Sequence, residues 1–141
     1  MQTVWFENKP RIIATGTVAG PKESVGIVGK YVDKTLTDDM FGESTYEKAE
    51  CKMLSFAISK AIENAGLTEQ DIDLLISGDL LNQIISASFA ARDFNFPFLG
   101  VYSACSTMSS LQRAAIFRAR KDSTVIRWSW AIPVRRNHNG R

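Results

Sequence analysis

The order of apolar segments along this chain constrains its fold more than any other feature. Short apolar runs occupy Ile12–Val18, Leu74–Ser77 and Phe98–Tyr102. Between them, apolar residues recur at helical spacing over Tyr46–Ala65 and Asn82–Asp93. Strands that are apolar throughout are typical of a sheet buried on both faces, and alternating strands and helices join as right-handed crossovers. We therefore predict an α/β fold, with a mainly parallel sheet flanked by helices.

The longer helix carries signals for both of its ends. Ser44-Thr45-Tyr46-Glu47 has the spacing of a capping box, in which a hydroxyl and a carboxylate bind free amides at a helix start. Gly66 follows Ala65, at the position where a glycine commonly ends a helix. Residues 19–45, which precede this helix, are predicted to form a long connection. Loops of that length usually carry function or contact a partner.

Candidate site residues follow two of the predicted strands. Ligands of parallel α/β sheets bind beyond the carboxyl ends of the strands, where Asp79 and Cys105 are predicted to lie. Asp79 and the nearby Asn82 could contact a ligand, but either could instead cap the following helix, and we favour capping. Arg92 could hold a dicarboxylate through its guanidinium fork or pair with a nearby acid such as Asp93.

The composition excludes several classes of protein. No run approaches the roughly 18 apolar residues of a membrane-spanning helix, and the first residues lack the basic start and apolar core of a signal peptide. Two cysteines, Cys51 and Cys105, do not make a disulfide framework. One histidine, His138, leaves no zinc site. We expect an intracellular protein without a bound metal or cofactor.

Charge divides the chain into two unequal parts. Residues 1–108 contain nine Lys or Arg against fourteen Asp or Glu, whereas residues 109–141 contain eight against one. A basic arm that binds anionic lipid headgroups or nucleic-acid phosphates is one interpretation of the second part. Because the segment has no nucleic-acid-binding motif, we expect no nucleic-acid partner and favour a poorly ordered tail.

Several stretches carry a resemblance to a known family. "AISKAIENAGLTEQDIDLLISGDLLNQ" resembles the thiolase superfamily, and "GDLLNQIISASFAARDFNFPFLGVYSACSTM" resembles the stage V sporulation protein AD family, a thiolase-like branch. The resemblance covers about residues 4–108. It implies the N-terminal portion of a thiolase-like fold that is built from two similar halves.

The resemblance also implies a function. Members of this family belong to a channel system at the spore inner membrane, and they bind dipicolinic acid, which enters the spore largely as a calcium chelate. The expected location is the cytoplasmic face of that membrane, and the expected partners are dipicolinic acid, other channel proteins and a second copy in a homodimer. The ligand-binding candidates are Cys105, Asp79, Asn82 and Arg92.

Cys105 falls on the position of the nucleophile in true thiolases. Those enzymes pair the thiolate with histidines from the second half of the fold, and no such histidine is visible here. A lone cysteine after a buried strand is more often a packed small residue than a nucleophile. We therefore expect a pocket-lining residue and no enzymatic activity. The alternatives are a thiolase-like or ketoacyl synthase-like acyltransferase that uses Cys105, and a non-functional fragment.

The resemblance is expected to stop after Met108. We predict a truncated thiolase-like domain at residues 1–108 and a divergent basic tail at residues 109–141. Arg113, Arg118 and Arg120 would place charges on a helix that the family buries, which costs several kcal/mol for each unpaired charge. A frameshift just after Met108 would explain this change. Half of a two-half fold exposes apolar surface, so we expect the isolated chain to be marginally stable, to aggregate or to need a partner.

Overall fold

A computed structural model describes residues 11–111 and the strand Trp130–Ala131. These residues form an α/β structure with parallel strands, which confirms the predicted fold class. The strands are Thr17–Ala19 (β1), Lys34–Thr35 (β2), Leu75–Ser77 (β3), Phe98–Gly100 (β4) and Trp130–Ala131 (β5). The helices are Pro21–Ser24 (α1), Tyr46–Asn64 (α2) and Ile85–Arg92 (α3). Single 3₁₀ turns occupy Gly29–Tyr31, Glu69–Asp71 and Ala104–Ser106.

The strands form two parallel sheets instead of the single sheet that the sequence predicts. Strands β3 and β4 pair with Ile76 opposite Leu99, as expected for consecutive strands joined by a helix. Strand β1 lies in a second sheet of order β2-β1-β5. Both edges of β1 are therefore occupied, on one side by a strand from the predicted loop and on the other by a strand from the tail.

Helix α2 matches its prediction closely. It covers Tyr46–Asn64, and Gly66 adopts a left-handed φ of 64° just beyond its end. The N-cap is Thr45 and not Ser44, because the Thr45 side chain accepts a hydrogen bond from the amide of Lys48 at 3.3 Å. The buried face of α2 packs on α3 through alanines. Ala87 and Ala90 of α3 are fully buried, which lets the two helices approach closely.

Helix α3 begins three residues later than predicted. Gln83 and Ile84 have positive φ angles of 49° and 78°, a conformation that cannot continue a right-handed helix. The chain therefore leaves β3, makes a turn at residues 78–84 and enters α3 only at Ile85.

The predicted long connection at residues 19–45 contains α1, a 3₁₀ turn and β2. The amide of Leu36 donates to the carbonyl of Ala19 at 2.8 Å, which ties the end of this segment to β1. Leu36 is buried with Ala49 and Met53 of α2 in a small second core. Local hydrogen bonds and one buried leucine thus give this segment a defined path.

Two further findings concern the membrane and the tail. Within residues 11–111, no helix has the length and apolar character to cross a bilayer. Of the basic tail, the structure describes only residues 109–111 and 130–131, and the latter pair with β1. Its remaining residues lie outside the described ranges, so a poorly ordered tail stays a prediction.

Gly16, just before β1, lies very close to the backbone of α2, and only a residue without a side chain fits there. A Cβ at this position would lie 2.2 Å from the carbonyl oxygen of Ala57 and 2.7 Å from the amide nitrogen of Ala61. Both atoms belong to the helix backbone and cannot rotate away. We expect Gly16→Ala to lower the free energy of unfolding by about 1–3 kcal/mol, measured by denaturant titration.

Gly26→Ala is the matched control for this substitution. Gly26 is exposed, and a Cβ there would have only the carbonyl oxygen of Glu23 nearby, at 3.3 Å. This variant should remain within about 1 kcal/mol of the unsubstituted chain. Equal losses in the free energy of unfolding for the two variants would show that the close contact at Gly16 is not the cause of the loss.

Candidate functional site

The carboxyl ends of β3 and β4 bring two segments of the chain together. Because these strands are parallel neighbours, the turn at residues 78–84 and the segment at residues 101–107 leave the same edge of the sheet. They touch at Gly78, where a Cβ would lie 2.1 Å from the carbonyl oxygen of Val101 and 2.8 Å from Thr107 Cγ2. We call these two segments the site edge.

Asp79 anchors the site edge to α3. Its side chain is buried, with 4% of the residue exposed. Oδ1 accepts a hydrogen bond from the amide of Ile84 at 2.8 Å, and Oδ2 accepts one from the amide of Ala87 at 2.9 Å. Both amides belong to the start of α3 and lack helical acceptors. Asp79 therefore takes the capping role that the sequence left open beside ligand binding.

The other two candidates beside α3 lie in different places. Asn82 is exposed on the turn, and its main-chain carbonyl accepts a hydrogen bond from the amide of Ile85 at 3.1 Å. Arg92 is in the last turn of α3, about 10 Å along the helix from the end that Asp79 caps. Its guanidinium carbon lies 5.1 Å from the centre of the Phe89 ring. The structure brings Asn82 to the site edge with Asp79, and it does not bring Arg92 there.

Cys105 lies at the site edge and is exposed. It is in the 3₁₀ turn Ala104–Ser106, which leads directly into a helical segment at residues 107–111. Strand β4 ends at Gly100, two residues earlier than predicted, so an irregular stretch separates the strand from the cysteine. Cys51, in contrast, is half-buried against the main core, and this burial raises the pKa of its thiol.

Hydroxyl groups line the segment around Cys105. Thr107 Oγ1 accepts a hydrogen bond from the amide of Ser103 at 3.2 Å, and Ser106 Oγ donates to the Ser103 carbonyl at 2.7 Å. Ser110 Oγ lies 3.3 Å from Ser103 Oγ. These residues were not among the candidates predicted from the sequence. The signal was present in "SACSTMSS", where serine or threonine recurs every three or four residues as on one face of a helix.

Glu50 is a second buried feature that was not predicted from the sequence. It is 2% exposed, and its Oε1 accepts a hydrogen bond from the amide of Leu80 at 3.2 Å. Among the residues that the structure describes, Oε2 of Glu50 and the buried Ser77 hydroxyl have no hydrogen-bond partner. Glu50, Leu54 and Ile58 follow one another at four-residue spacing and so lie on one face of α2. The sequence thus already indicated a carboxyl group on the buried face of this helix.

Burial has a direct electrostatic effect on Glu50. Removal from water raises the pKa of its carboxyl group above the ordinary value of 4.5, and the negative charge of Asp79 adds to this rise. Hydrogen bonding from the amide of Leu80, the Ser86 side chain and the amide of Leu81 opposes the rise. Two carboxyl groups thus meet beneath the turn at residues 78–84, and Asp79 accepts the shorter hydrogen bonds.

The composition of the site edge limits its chemistry. The site edge and the residues that adjoin it, 77–84 and 100–111 in all, contain no lysine or arginine. Residues 11–111 contain no histidine. Within the described part of the chain, no group of three His, Cys, Asp or Glu side chains could hold a metal ion. The groups available to a ligand are hydroxyls, the exposed side-chain amides of Asn82 and Gln83, main-chain amides and carbonyls, and the Cys105 thiol.

Comparisons with known proteins identify close relatives of this sequence. A profile of the family described as Stage V sporulation protein AD matches residues 1–126. Stage V sporulation protein AD of Bacillus subtilis strain 168 is 40% identical over 121 residues, which is 86% of this chain and 35% of the relative. The chain thus spans about a third of the length of that curated relative.

The matched span is longer than the resemblance expected from the sequence. The family profile continues through residue 126, past Met108, where the resemblance was expected to stop. Arg113, Arg118 and Arg120 lie inside the matched span. The profile thus extends the resemblance beyond Met108, while the domain division at that residue and the frameshift stay predictions.

Removing the Asp79 carboxylate should destabilise the fold. Asp79→Ala leaves the amides of Ile84 and Ala87 without their acceptors, and Ala87 is fully buried. We expect the free energy of unfolding to fall by about 3 kcal/mol in a denaturant titration, because buried donors lose a charged partner. Asn82→Ala, on the same turn but exposed, should change it by no more than about 0.5 kcal/mol. A small effect at Asp79 would contradict the anchoring role.

The raised pKa of Glu50 should appear in the pH dependence of stability. Between pH 4.5 and the raised pKa, the folded chain keeps a proton that the unfolded chain has lost. The contribution of Glu50 to the free energy of unfolding therefore falls as the pH rises through this window. We expect the difference between the unsubstituted chain and Glu50→Gln to decline from pH 4.5 towards neutrality, as measured by denaturant unfolding.

Glu47→Gln is the control for this experiment. Glu47 lies on the same helix and is exposed. Its variant should follow the pH profile of the unsubstituted chain. Parallel profiles for the unsubstituted chain and Glu50→Gln would show that Glu50 does not titrate in this window.

Proposed function

The chain belongs to the stage V sporulation protein AD family, and on that basis we propose that it acts in spore formation by binding dipicolinic acid for uptake into the developing spore. Family membership is the observation that carries this proposal. We further propose that it works at the cytoplasmic face of the spore inner membrane, beside the other proteins of the channel system and as a homodimer.

The site edge is the proposed location of the ligand. Ligands of parallel sheets bind beyond the strand carboxyl ends, where the turn at residues 78–84 meets the hydroxyl-lined segment around Cys105. Dipicolinate is a dianion, and the site edge contributes no cationic side chain of its own. Its calcium chelate carries no net charge, and hydroxyl and carbonyl oxygens are suitable further ligands for calcium. We therefore propose that the chelate is the form that binds there.

We propose a binding role and not catalysis for Cys105. A thiol needs a neighbouring base to act as an acyl carrier, and the stretch from residue 11 to residue 111 contains no histidine. The exposed position of Cys105 at the site edge suits a residue that lines a pocket. The thiol would contact the ligand ring without forming a bond to it.

Calorimetric titration of the purified, folded chain tests this proposal. We expect saturable heat with dipicolinate in the presence of calcium and weaker binding with calcium removed by a chelator. Benzene-1,3-dicarboxylate has the same two carboxylates but lacks the ring nitrogen that helps to hold calcium, so it should bind more weakly. A folded chain that shows no saturable heat with dipicolinate under either condition would refute the proposal.

Two variants locate the ligand if binding is seen. Ser103→Ala removes a hydroxyl from the site edge, and we expect it to weaken binding about fivefold to tenfold, the loss that follows from one hydrogen bond. Arg92→Ala changes the other end of α3 and should leave the affinity unchanged. The reverse result would move the ligand from the site edge to Arg92.

A further inference from the structure

Four apolar side chains project into solvent from one short segment after α1. We call Val25–Tyr31 the apolar tip. Ile27 and Val25 are 89% and 88% exposed, and Tyr31 and Val28 are 75% and 60% exposed. No other stretch of comparable length in residues 11–111 exposes its large apolar side chains to this extent. Soluble proteins rarely leave such a group of side chains in water without a use for it.

The apolar tip has a fixed backbone. The amides of Gly26, Gly29 and Tyr31 donate to the carbonyls of Glu23, Gly26 and Val28 at 2.9–3.1 Å. Gly29 is buried against the end of α1, where a Cβ would lie 2.1 Å from the carbonyl oxygen of Ser24. The amides of Gly26, Gly29 and Tyr31 thus have acceptors within the segment or at the end of α1, which gives the backbone of the tip a defined path.

Positive charges surround the apolar tip. Lys30 within the tip and Lys22 and Lys34 on either side of it are exposed, and Lys30 Nζ lies 4.9 Å from the centre of the Tyr31 ring. Two of the neighbouring acids have other contacts. The Glu23 carboxylate is directed towards Gly20, with Oε2 3.2 Å from the place of a Cβ there, and Asp33 accepts hydrogen bonds from Thr17 and Asn64.

We propose that the apolar tip inserts into the interfacial region of an anionic lipid bilayer, with Lys22, Lys30 and Lys34 at the level of the headgroups. Aliphatic side chains beside a tyrosine and several lysines suit this interface, because the apolar part enters the acyl boundary and the cations meet anionic lipid. A protein partner fits less well. Four projecting side chains on one loop cannot supply the roughly 800 Å² per partner of a standard protein interface. The inference rests on the tip alone and does not depend on ligand binding at the site edge.

Co-sedimentation of the full chain with lipid vesicles tests this inference. We expect binding to vesicles of equal parts phosphatidylcholine and phosphatidylglycerol, and little binding to phosphatidylcholine alone. The double variant Ile27→Ser, Val28→Ser should lose about tenfold or more in partitioning, since two apolar side chains no longer enter the interface. Lys30→Glu should also weaken binding and should reduce its dependence on salt. Unfolding midpoints close to that of the unsubstituted chain show that the variants remain folded.

Phe89→Ser is the matched control. Phe89 is an exposed apolar residue on α3, and its substitution should leave vesicle binding unchanged. Vesicle binding that survives in the Ile27→Ser, Val28→Ser variant would overturn the proposal and assign the binding to the basic residues after position 108. Absence of vesicle binding by the folded chain would overturn it as well. Concentration-dependent self-association that only the double variant abolishes, without vesicle binding, would identify the tip as a protein interface instead.

Discussion

The Asp79 carboxylate is the interaction on which the arrangement of the site edge depends. Asp79 lies just beyond the end of β3, and its carboxylate accepts hydrogen bonds from two amides at the start of α3. One buried side chain therefore holds the strand, the turn and the helix together. The same bonds hold Gln83 and Ile84 in left-handed conformations that non-glycine residues adopt only at a cost. With the turn fixed in this way, the amide of Leu80 is directed at Glu50 on α2. The turn therefore also helps to fix the position of α2 relative to the sheet.

The polar groups beneath the turn are incompletely satisfied. Both carboxylate oxygens of Asp79 accept an amide hydrogen bond, whereas Oε2 of Glu50 and the buried Ser77 hydroxyl have no partner among residues 11–111. A fold selected for stability alone would place apolar side chains here, because each unsatisfied buried group costs about 1–3 kcal/mol. Natural proteins accept such local deficits mainly at functional sites. The deficit lies directly behind the edge where ligands of parallel sheets bind, which agrees with the proposed location of the ligand.

The sequence predicted those parts of the fold that local signals determine. Helix α2 has a hydroxyl cap, an apolar face and a terminal glycine, and its bounds agree with the structure to within one residue. The β3–β4 pair follows from the crossover rule. The start of α3 could not be predicted, because the left-handed conformation of Ile84 depends on a carboxylate five residues earlier. The place of β1 was missed for a related reason: its neighbours are two-residue strands that carry almost no periodic signal.

The candidate site residues also differ in whether local signals or tertiary contacts determine where they lie. Asp79 and Cys105 were placed correctly at one edge, since the strand ends alone determine where they lie. Arg92 was considered for its chemistry and not for its position, and the helix carries it to the far end of α3. Glu50 was overlooked because it stands among apolar residues whose pattern is dominated by helix packing. Leu80 and Asp79 come close to Glu50 only in the folded structure, so nothing in the sequence indicated their effect on its carboxyl group.

The pairing of β1 with β5 has a consequence for the order of folding. Thr17 lies opposite Trp130, so more than a hundred residues separate the partners, whereas β3, α3 and β4 are nearly continuous along the chain. Closing so long a loop costs more entropy than closing the β3–α3–β4 unit. During synthesis the latter unit can assemble early, while one edge of β1 stays unpaired until residue 131 has left the ribosome. The nascent chain thus carries an open strand edge, available to chaperones or to neighbouring chains, while the residues between β1 and β5 are being made.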